Sequence, residues 1–248
     1  MTKKVAPIVI FTFEDAGLSG AAAALAGSLM LEPHSSLRRL EEAFELPLDR
    51  YDVDDAKACG SLIHFVDGGG AYQVSILLMQ SQKPPILACS LDAVLSEITA
   101  GYSQDLPSFI LPFFSSSSRL KHEKHTLSSD QGKSSLYGLQ IGKENATIGA
   151  MMAQTKRPPP TLQFHYEPLA CLLHFVRVLK VPAFLLIGEV GSQSVDKGSK
   201  ETLERLQEMG QLLASVTNLC FAQERIALGP LKSSKEGGER EAWRALYG

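Results

Sequence analysis

The chain has 248 residues, of which 44% are hydrophobic and 21% are charged, with a formal net charge of -3. This is an ordinary globular composition, and the length fits one large α/β domain or two small ones. The pI near 6.1 gives no electrostatic case for nucleic-acid binding, which needs a basic face. No apolar run is long enough to cross a bilayer, so we expect neither a nucleic acid nor a membrane as a partner.

The N-terminal third predicts one strand and two helices. Residues 8–13 are rich in Val, Ile and Phe and favour a strand. Small residues dominate 17–27, which indicates a helix packed closely on a sheet. The apolar spacing over 37–44 predicts a short amphipathic helix that Pro47 terminates.

The middle of the chain predicts a β-hairpin and further short elements. Residues 62–66 and 72–79 are strand-like, and the Asp-Gly-Gly-Gly turn at 67–70 joins them as a hairpin. Residues 92–99 favour a helix, and 109–111 form a short apolar run flanked by prolines.

Residues 115–132 differ in kind from the rest, because serines and charged residues fill them and little of the segment can enter a core. We interpret it as a solvated, disordered loop. A further strand follows at 136–141, and a second exposed segment, stiffened towards polyproline, at 156–160.

The C-terminal half carries the clearest pattern. Leucine and valine recur at helical spacing over 169–179, and Lys180-Val181-Pro182 breaks that helix. The continuous apolar run at 183–187 is typical of a parallel strand covered on both faces, and Gly188 is expected to end it. Residues 199–215 predict a second helix.

This alternation of strands and helices predicts a three-layer α/β/α sandwich with a mostly parallel or mixed sheet. We divide the chain into an α/β domain over residues 1–232, with a disordered loop around 115–132, and a flexible tail over 233–248.

The four cysteines lie far apart and form no Cys-x-x-Cys pair. Three of them sit in apolar stretches, where a reduced core cysteine is common. This usage indicates a reducing compartment, the cytoplasm or also the nucleus.

Motifs for phosphate binding, dinucleotide binding or a serine nucleophile elbow are not present in the sequence. Ser19 is favoured as a helix cap over a nucleophile. His122 and His125 flank Glu123 in the serine-rich segment, which favours a solvated loop over a metal site. We expect no metal and no cofactor.

Hypotheses attach to four other residues. His64 and His174 lie within apolar elements and are interpreted as core histidines. Glu167 and Glu189 flank the helix–strand unit at 169–187 and offer a carboxylate pair for a pocket. We predict no catalytic residue.

The chain ends in Leu246, Tyr247 and Gly248, a hydrophobic residue, a tyrosine and a free carboxylate. The leucine favours a dry groove, the phenol buries a ring and keeps one hydrogen bond, and the carboxylate pairs with a lysine or with backbone N–H groups. A linker composition at 233–238 presents this ending. The alternative is a plain frayed tail.

Two features together resemble the proteasome assembly chaperone 1 family. One is the unit at 168–188, a leucine-rich helix, then Lys180-Val181-Pro182 and an apolar strand; the other is the hydrophobic-Tyr-X (HbYX) ending at 246–248. The resemblance covers about the last two-fifths of the chain.

The resemblance implies a non-enzymatic chaperone with an α/β sandwich fold related to nucleoside-phosphorylase-like domains. It implies a heterodimer with proteasome assembly chaperone 2 that binds proteasome α-subunits and promotes assembly of the α-ring of the 20S core particle. The ending at Leu246, Tyr247 and Gly248 would dock in a pocket between α-subunits. The alternatives are an enzyme on the same fold, acting on nucleosides or esters, and a scaffold whose tail is idle.

Overall fold

A computed structural model describes residues 4–14, 18–53, 55–102, 105–116, 136–160, 162, 166–190 and 195–226, with the backbone alone at 18–20, 116, 189–190 and 195–202. The strands are β1 (Ile8–Glu14), β2 (Leu29–Met30), β3 (Arg38–Pro47), β4 (Lys57–Val66), β5 (Tyr72–Gln80), β6 (Ser108–Ser116), β7 (Leu136–Ile141), β8 (Ala183–Val190) and β9 (Cys220–Phe221). The helices are α1 (Leu18–Gly27), α2 (Ile86–Thr99), α3 (Ala146–Ala153), α4 (Glu167–Val178) and α5 (Val195–Thr217).

Seven strands form one mixed sheet in the order β3-β4-β5-β1-β6-β8-β7, and β2 pairs with β9 in a separate ribbon. The four central strands β5, β1, β6 and β8 are parallel. Antiparallel pairs flank them, since β4 pairs antiparallel with β5 and β3, and β7 pairs antiparallel with β8. The predicted single α/β domain with a mostly parallel or mixed sheet is confirmed.

Two hydrophobic clusters lie on opposite faces of this sheet. One contains Phe11 and Leu185 from the sheet and residues of α2 and α4. The other contains Ile10 and Leu186 together with residues of α1, α3 and α5. Successive strand residues point to opposite faces, so adjacent residues of one strand serve different clusters. The domain therefore has three layers, and we name the two sides of the sheet the α2/α4 face and the α1/α5 face.

The unit formed by α4 and β8 matches the prediction closely. α4 ends at Val178, and Lys180 has a φ of 55° in the left-handed region, which stops the helix. β8 is fully buried over 183–187. It continues beyond Gly188 to Val190, contrary to the prediction, because β6 pairs with it in parallel as far as Ser116.

The hairpin between β4 and β5 is confirmed. The Gly70 N–H donates to the Asp67 carbonyl oxygen at 3.0 Å, and the Asp67 carboxylate accepts the N–H groups of Gly69 and Ala71, each at 2.9 Å. The bond from Ala71 is the main reason that the pKa of Asp67 lies below its usual value. Gly70 has a φ of 83°, which explains why this turn needs glycine.

The helix predicted over residues 37–44 is wrong, because this segment forms the strand β3. Arginine, leucine and glutamate are good helix formers, so local propensity favoured a helix. The segment instead pairs with β4 over ten residues, from Arg38 opposite Val66 to Pro47 opposite Lys57. Long-range pairing thus overrides a weak local preference, and Pro47 ends a strand at the sheet edge.

Other boundaries move without changing the fold. α2 starts at Ile86 and is longer than predicted, and β6 runs through Pro112 to Ser116. Residues 115 and 116, which were predicted to begin the loop, belong to β6, and residues 117–132 and 233–248 lie outside the described part. Within the described residues, none of the helices combines the length and the apolar character that spanning a membrane requires.

Candidate functional site

The strand β3 forms one edge of the sheet. It is ten residues long and pairs with β4 on one side. In the part of the chain that the structure describes, no strand pairs with its other side. The outward-pointing backbone N–H and C=O groups of such an edge form a template on which another strand can pair.

The first six residues of β3, from Arg38 to Ala43, are all exposed. Leu40 is 47% exposed and is one of three large hydrophobic residues exposed in the described part, with Leu139 and Val178. Phe44 is the anchor of the strand, since it is only 6% exposed and belongs to the cluster on the α2/α4 face. The N-terminal half of β3 therefore extends beyond the helices that cover the rest of the sheet.

The exposed residues of β3 carry an ordered set of charges, Arg38-Arg39-Leu40-Glu41-Glu42. Arg38, Leu40 and Glu42 share the α2/α4 face with Phe44, because strand residues alternate. Arg39 and Glu41 lie on the α1/α5 face and form an ion pair at 3.0 Å. Both side chains are exposed, so this pair contributes little to stability.

A second exposed ion pair spans the two strands further along the edge. Lys57 Nζ on β4 lies 2.7 Å from Glu45 Oε2 on β3. The hydrogen bond between them lowers the pKa of Glu45 and raises the pKa of Lys57. The charges on the α1/α5 face of this edge are therefore partly neutralised within the chain.

Behind the edge, His64 connects β4 to β5. It is 3% exposed, and its Nδ1 lies 2.8 Å from Ser75 Oγ, which also accepts the Ala6 N–H at 2.9 Å. The imidazole lies against the Tyr72 ring, with 4.6 Å between centroids, and its Nε2 is 3.8 Å from Glu42 Oε1. His64 is the hydrogen-bonded core histidine that was predicted.

The other predicted positions fall in different places. The prediction for His174 is wrong, since it is exposed on α4 beside Phe175, on the helix side that faces away from the sheet. Glu167 is exposed in the first turn of α4. The side chains of Ser19 and Glu189 lie outside the described part, and so do His122, Glu123 and His125.

A small, partly open cleft lies at the carboxyl ends of β1 and β6. This is the end of a parallel sheet at which α/β folds commonly bind ligands. Its described walls include the rings of Phe11, Phe13, Phe113 and Tyr166. Thr12 also lines it, is 2% exposed, and its Oγ1 finds no hydrogen-bond partner among the described residues. These described walls carry no carboxylate, imidazole, amine or thiol for acid–base chemistry.

Leu246, Tyr247 and Gly248, the predicted docking residues, lie outside the described residues. Their role stays a prediction. Nor do the described residues bring together three His, Cys, Asp or Glu side chains as a metal site would. All four cysteines are free thiols.

Sequence reasoning missed the β3 edge. The signal that could have found it is the spacing of Phe44 and Leu46, which are two residues apart and both pack on the α2/α4 cluster. That spacing is typical of a strand, whereas Leu40 and Phe44, four apart, match a helix. The position of β3 at the edge depends on strand order, which local sequence does not encode.

Comparison with known proteins gives one family and a set of similar folds. A family model described as Domain of unknown function (DUF7894) matches residues 3–248. None of the curated protein sequences matches the chain.

Three solved structures resemble the chain. A Mycobacterium tuberculosis protein of unknown function is 12% identical with a TM-score of 0.50, covering 90% of this chain and 72% of that one. A Mycobacterium tuberculosis proteasome-assembly chaperone homologue is 10% identical with a TM-score of 0.47, covering 88% and 89%. PbaB of Pyrococcus furiosus, an archaeal proteasome activator, is 10% identical with a TM-score of 0.46, covering 90% and 88%. At these identities the likeness concerns the fold alone.

Proposed function

The chain belongs to the family described as Domain of unknown function (DUF7894). We propose that it is a proteasome assembly chaperone without catalytic activity. As a heterodimer with a second chaperone, proteasome assembly chaperone 2, it binds proteasome α-subunits and promotes assembly of the α-ring of the 20S core particle. It works in the cytoplasm and in the nucleus.

The structural observation that carries a protein-binding role is the open edge of β3. Ten residues of strand end the described sheet, and the six from Arg38 to Ala43 are exposed on both faces. Strand addition at such an edge supplies main-chain hydrogen bonds, and the alternating side chains supply selectivity. Such an edge supports a role in protein assembly, because an assembly chaperone acts through contacts with other protein chains and performs no chemistry on them.

The second part of the proposal is the tail. Leu246 and Tyr247 each bury apolar area worth about 2 kcal/mol in a pocket between α-subunits. The Gly248 carboxylate pairs with a lysine there, a contact worth about 1.5–3 kcal/mol when it is desolvated. These contributions alone give weak binding after the cost of association, so the domain and the tail must act together through the linker.

Affinity purification of the full chain from cells, with identification of the bound proteins, tests this function. Proteasome α-subunits and a second chaperone should dominate the bound fraction. Tyr247→Ala should reduce the recovery of α-subunits without changing the circular dichroism of the chain. Val178→Ala, at an exposed apolar position of α4, is the matched control and should leave recovery unchanged. A bound fraction without any proteasome component contradicts the proposal.

A second candidate function is an enzyme acting on nucleosides or esters. The observation behind it is the cleft lined by Thr12, which lies at the carboxyl ends of β1 and β6. Assay of the purified chain with nucleoside and ester substrates separates the two candidates. Turnover that disappears when Tyr166 is changed to Phe would favour the enzyme. The chaperone proposal predicts no turnover.

A further inference from the structure

We propose that β3 pairs antiparallel with β3 of a second copy of this chain. The two-fold axis passes between the two copies of Leu40, which lie opposite each other. The inference rests on the proposed function only in taking β3 as a protein-docking edge. It names the partner at that edge, a second copy, and makes the edge the interface of a symmetric dimer. Each copy still binds proteasome assembly chaperone 2 at another surface, so that two of the proposed heterodimers are joined through β3.

The order of charges on β3 is self-complementary in this arrangement. With Leu40 opposite Leu40 of the second copy, Arg38 lies opposite the second Glu42, and Arg39 lies opposite the second Glu41. The two-fold axis repeats both pairs, so four arginine–glutamate pairs surround one leucine pair. Residues directly opposite in an antiparallel pair lie on the same face and have Cβ atoms about 4.5–5.5 Å apart, within reach of an ion pair.

The register also allows the backbone groups of the two β3 strands to form hydrogen bonds with each other. Alternate residues of β3 point their N–H and C=O groups outward, away from β4. An axis through a residue places outward-pointing residues of one copy opposite outward-pointing residues of the other. The neighbouring registers that meet this condition fail on charge, since an axis through Arg39 opposes two arginines and an axis through Glu41 opposes two glutamates.

The pairing residues are accessible on the folded chain. Arg38, Arg39, Leu40, Glu41 and Glu42 are all exposed, so the second copy can reach them without unfolding. The two ion pairs between Arg39 and Glu41, one within each chain, are exchanged for two equivalent pairs between the chains. Leu40, which is 47% exposed in a single copy, gains an apolar neighbour.

Charges on an edge strand usually prevent pairing, and those of β3 still act in that way against most strands. Because of their order, however, they are complementary to the charges of a strand with the same sequence that runs antiparallel. Charge order thereby selects the partner while the backbone provides the contact. Because the ion pairs remain near solvent, added salt should weaken the dimer.

Analytical ultracentrifugation of the full chain over a concentration series tests the pairing with reversed charges. The double variants R38E/R39E and E41R/E42R each place like charges opposite each other in a self-pair. Each should self-associate at least about tenfold more weakly than the wild type. An equimolar mixture should recover dimerisation, because the reversed positions of one variant meet the reversed positions of the other with opposite sign.

Two controls keep the result interpretable. Lys143→Glu with Arg177→Glu changes the net charge by the same amount as R38E/R39E at exposed positions away from β3, and should leave the dimer intact. Circular dichroism should be unchanged in every variant, since the altered side chains are exposed. Recovery in the mixture cannot arise from two misfolded chains.

A wild-type chain that stays monomeric at every concentration overturns the inference, and so do variants that dimerise as the wild type does. The inference is also overturned if the wild type is monomeric by itself and the charge-reversed variants lose binding to proteasome assembly chaperone 2. A different protein then occupies the edge. The proposed function fails separately. If the wild type dimerises, the variants behave as expected and no α-subunits co-purify, only the proposed function is contradicted. If the wild type is a monomer and α-subunits co-purify with it, only the self-pairing is contradicted.

Discussion

The Tyr51 hydroxyl donates a hydrogen bond of 2.5 Å to Asp92 Oδ2. Tyr51 belongs to the short 3-10 turn Asp49–Tyr51 that follows β3, and Asp92 lies on α2. Arg50 also contacts both side chains. This contact joins the end of the edge strand to the helix layer and holds the C-terminal half of β3 against the domain, while its N-terminal half stays exposed.

The first prediction concerns pH. Burial, followed by the hydrogen bond to Asp92, raises the pKa of Tyr51 to about 12 from an ordinary value of 10.0. A pKa that is raised in the folded state favours the neutral phenol, so its stabilisation is complete below pH 10 and is lost as the pH rises towards 12. Tyr51→Phe should lower stability by about 1 kcal/mol at pH 8 and remove this loss at high pH.

Urea unfolding of the wild type and of Tyr51→Phe between pH 8 and about pH 11.5 checks this, because the difference between the two chains cancels the titration of all other groups. The two unfolding free energies should converge as the pH increases. If the difference in unfolding free energy between the two chains stays constant over this range, ionisation of Tyr51 does not change its contribution to stability.

The second prediction compares two apolar residues on the same face of β3. Phe44 is 6% exposed and packs with the α2/α4 cluster, whereas Leu40 is 47% exposed. Phe44→Ala should lower the unfolding free energy by about 3–5 kcal/mol, since it leaves a cavity. Leu40→Ala should change it by less than about 0.5 kcal/mol, measured at a concentration at which the chain is monomeric. Equal effects would mean that Leu40 is buried in solution.

The third prediction concerns the close approach of β3 and β4 at Gly60. A Cβ at Gly60 would overlap the Leu78 carbonyl oxygen and would lie 2.7 Å from the tip of the Phe44 ring. Gly60→Ala should therefore displace Phe44 and destabilise the chain by about 1–3 kcal/mol. Gly101→Ala is the control, because a Cβ there meets no atom within 4 Å. If both variants melt at the temperature of the wild type, the packing at this edge is looser than described.

The fourth prediction concerns the polar core behind the edge. Ser75→Ala removes the oxygen that accepts the Ala6 N–H and contacts His64 Nδ1. Leaving these buried groups without their partner should cost about 1–3 kcal/mol. Ser61→Ala, at a half-buried position on β4, should cost less. Thermal unfolding of the two variants makes the comparison, and a larger loss for Ser61→Ala would contradict it.

The sequence predicted the elements whose local pattern and long-range environment agree. β8 is a continuous apolar run that the sheet buries on both faces, and the turn at 67–70 carries the glycine that its geometry demands. The prediction for β3 failed because its helix-forming residues conflict with its pairing to β4. The open edge could not be predicted, because it depends on which strands become neighbours when residues far apart in sequence meet.

The candidate site divides in the same way. His64 was predicted correctly as a core histidine from its apolar neighbours, but its partner Ser75 comes from another strand and was not foreseen. Thr12 gave no signal either, since only the meeting of β1, β6 and the segment at Tyr166 forms the cleft around it. Tyr247 and its neighbours stay a prediction from sequence.

The most direct test of the central claim is quantitative identification of the proteins that co-purify with the full chain from cells. An assembly chaperone acts before the core particle is complete, so our account predicts that α-subunits are enriched over β-subunits in the bound fraction and that Tyr247→Ala reduces this enrichment. Recovery of no proteasome subunit, or of α- and β-subunits in equal amounts and independent of Tyr247, would contradict it.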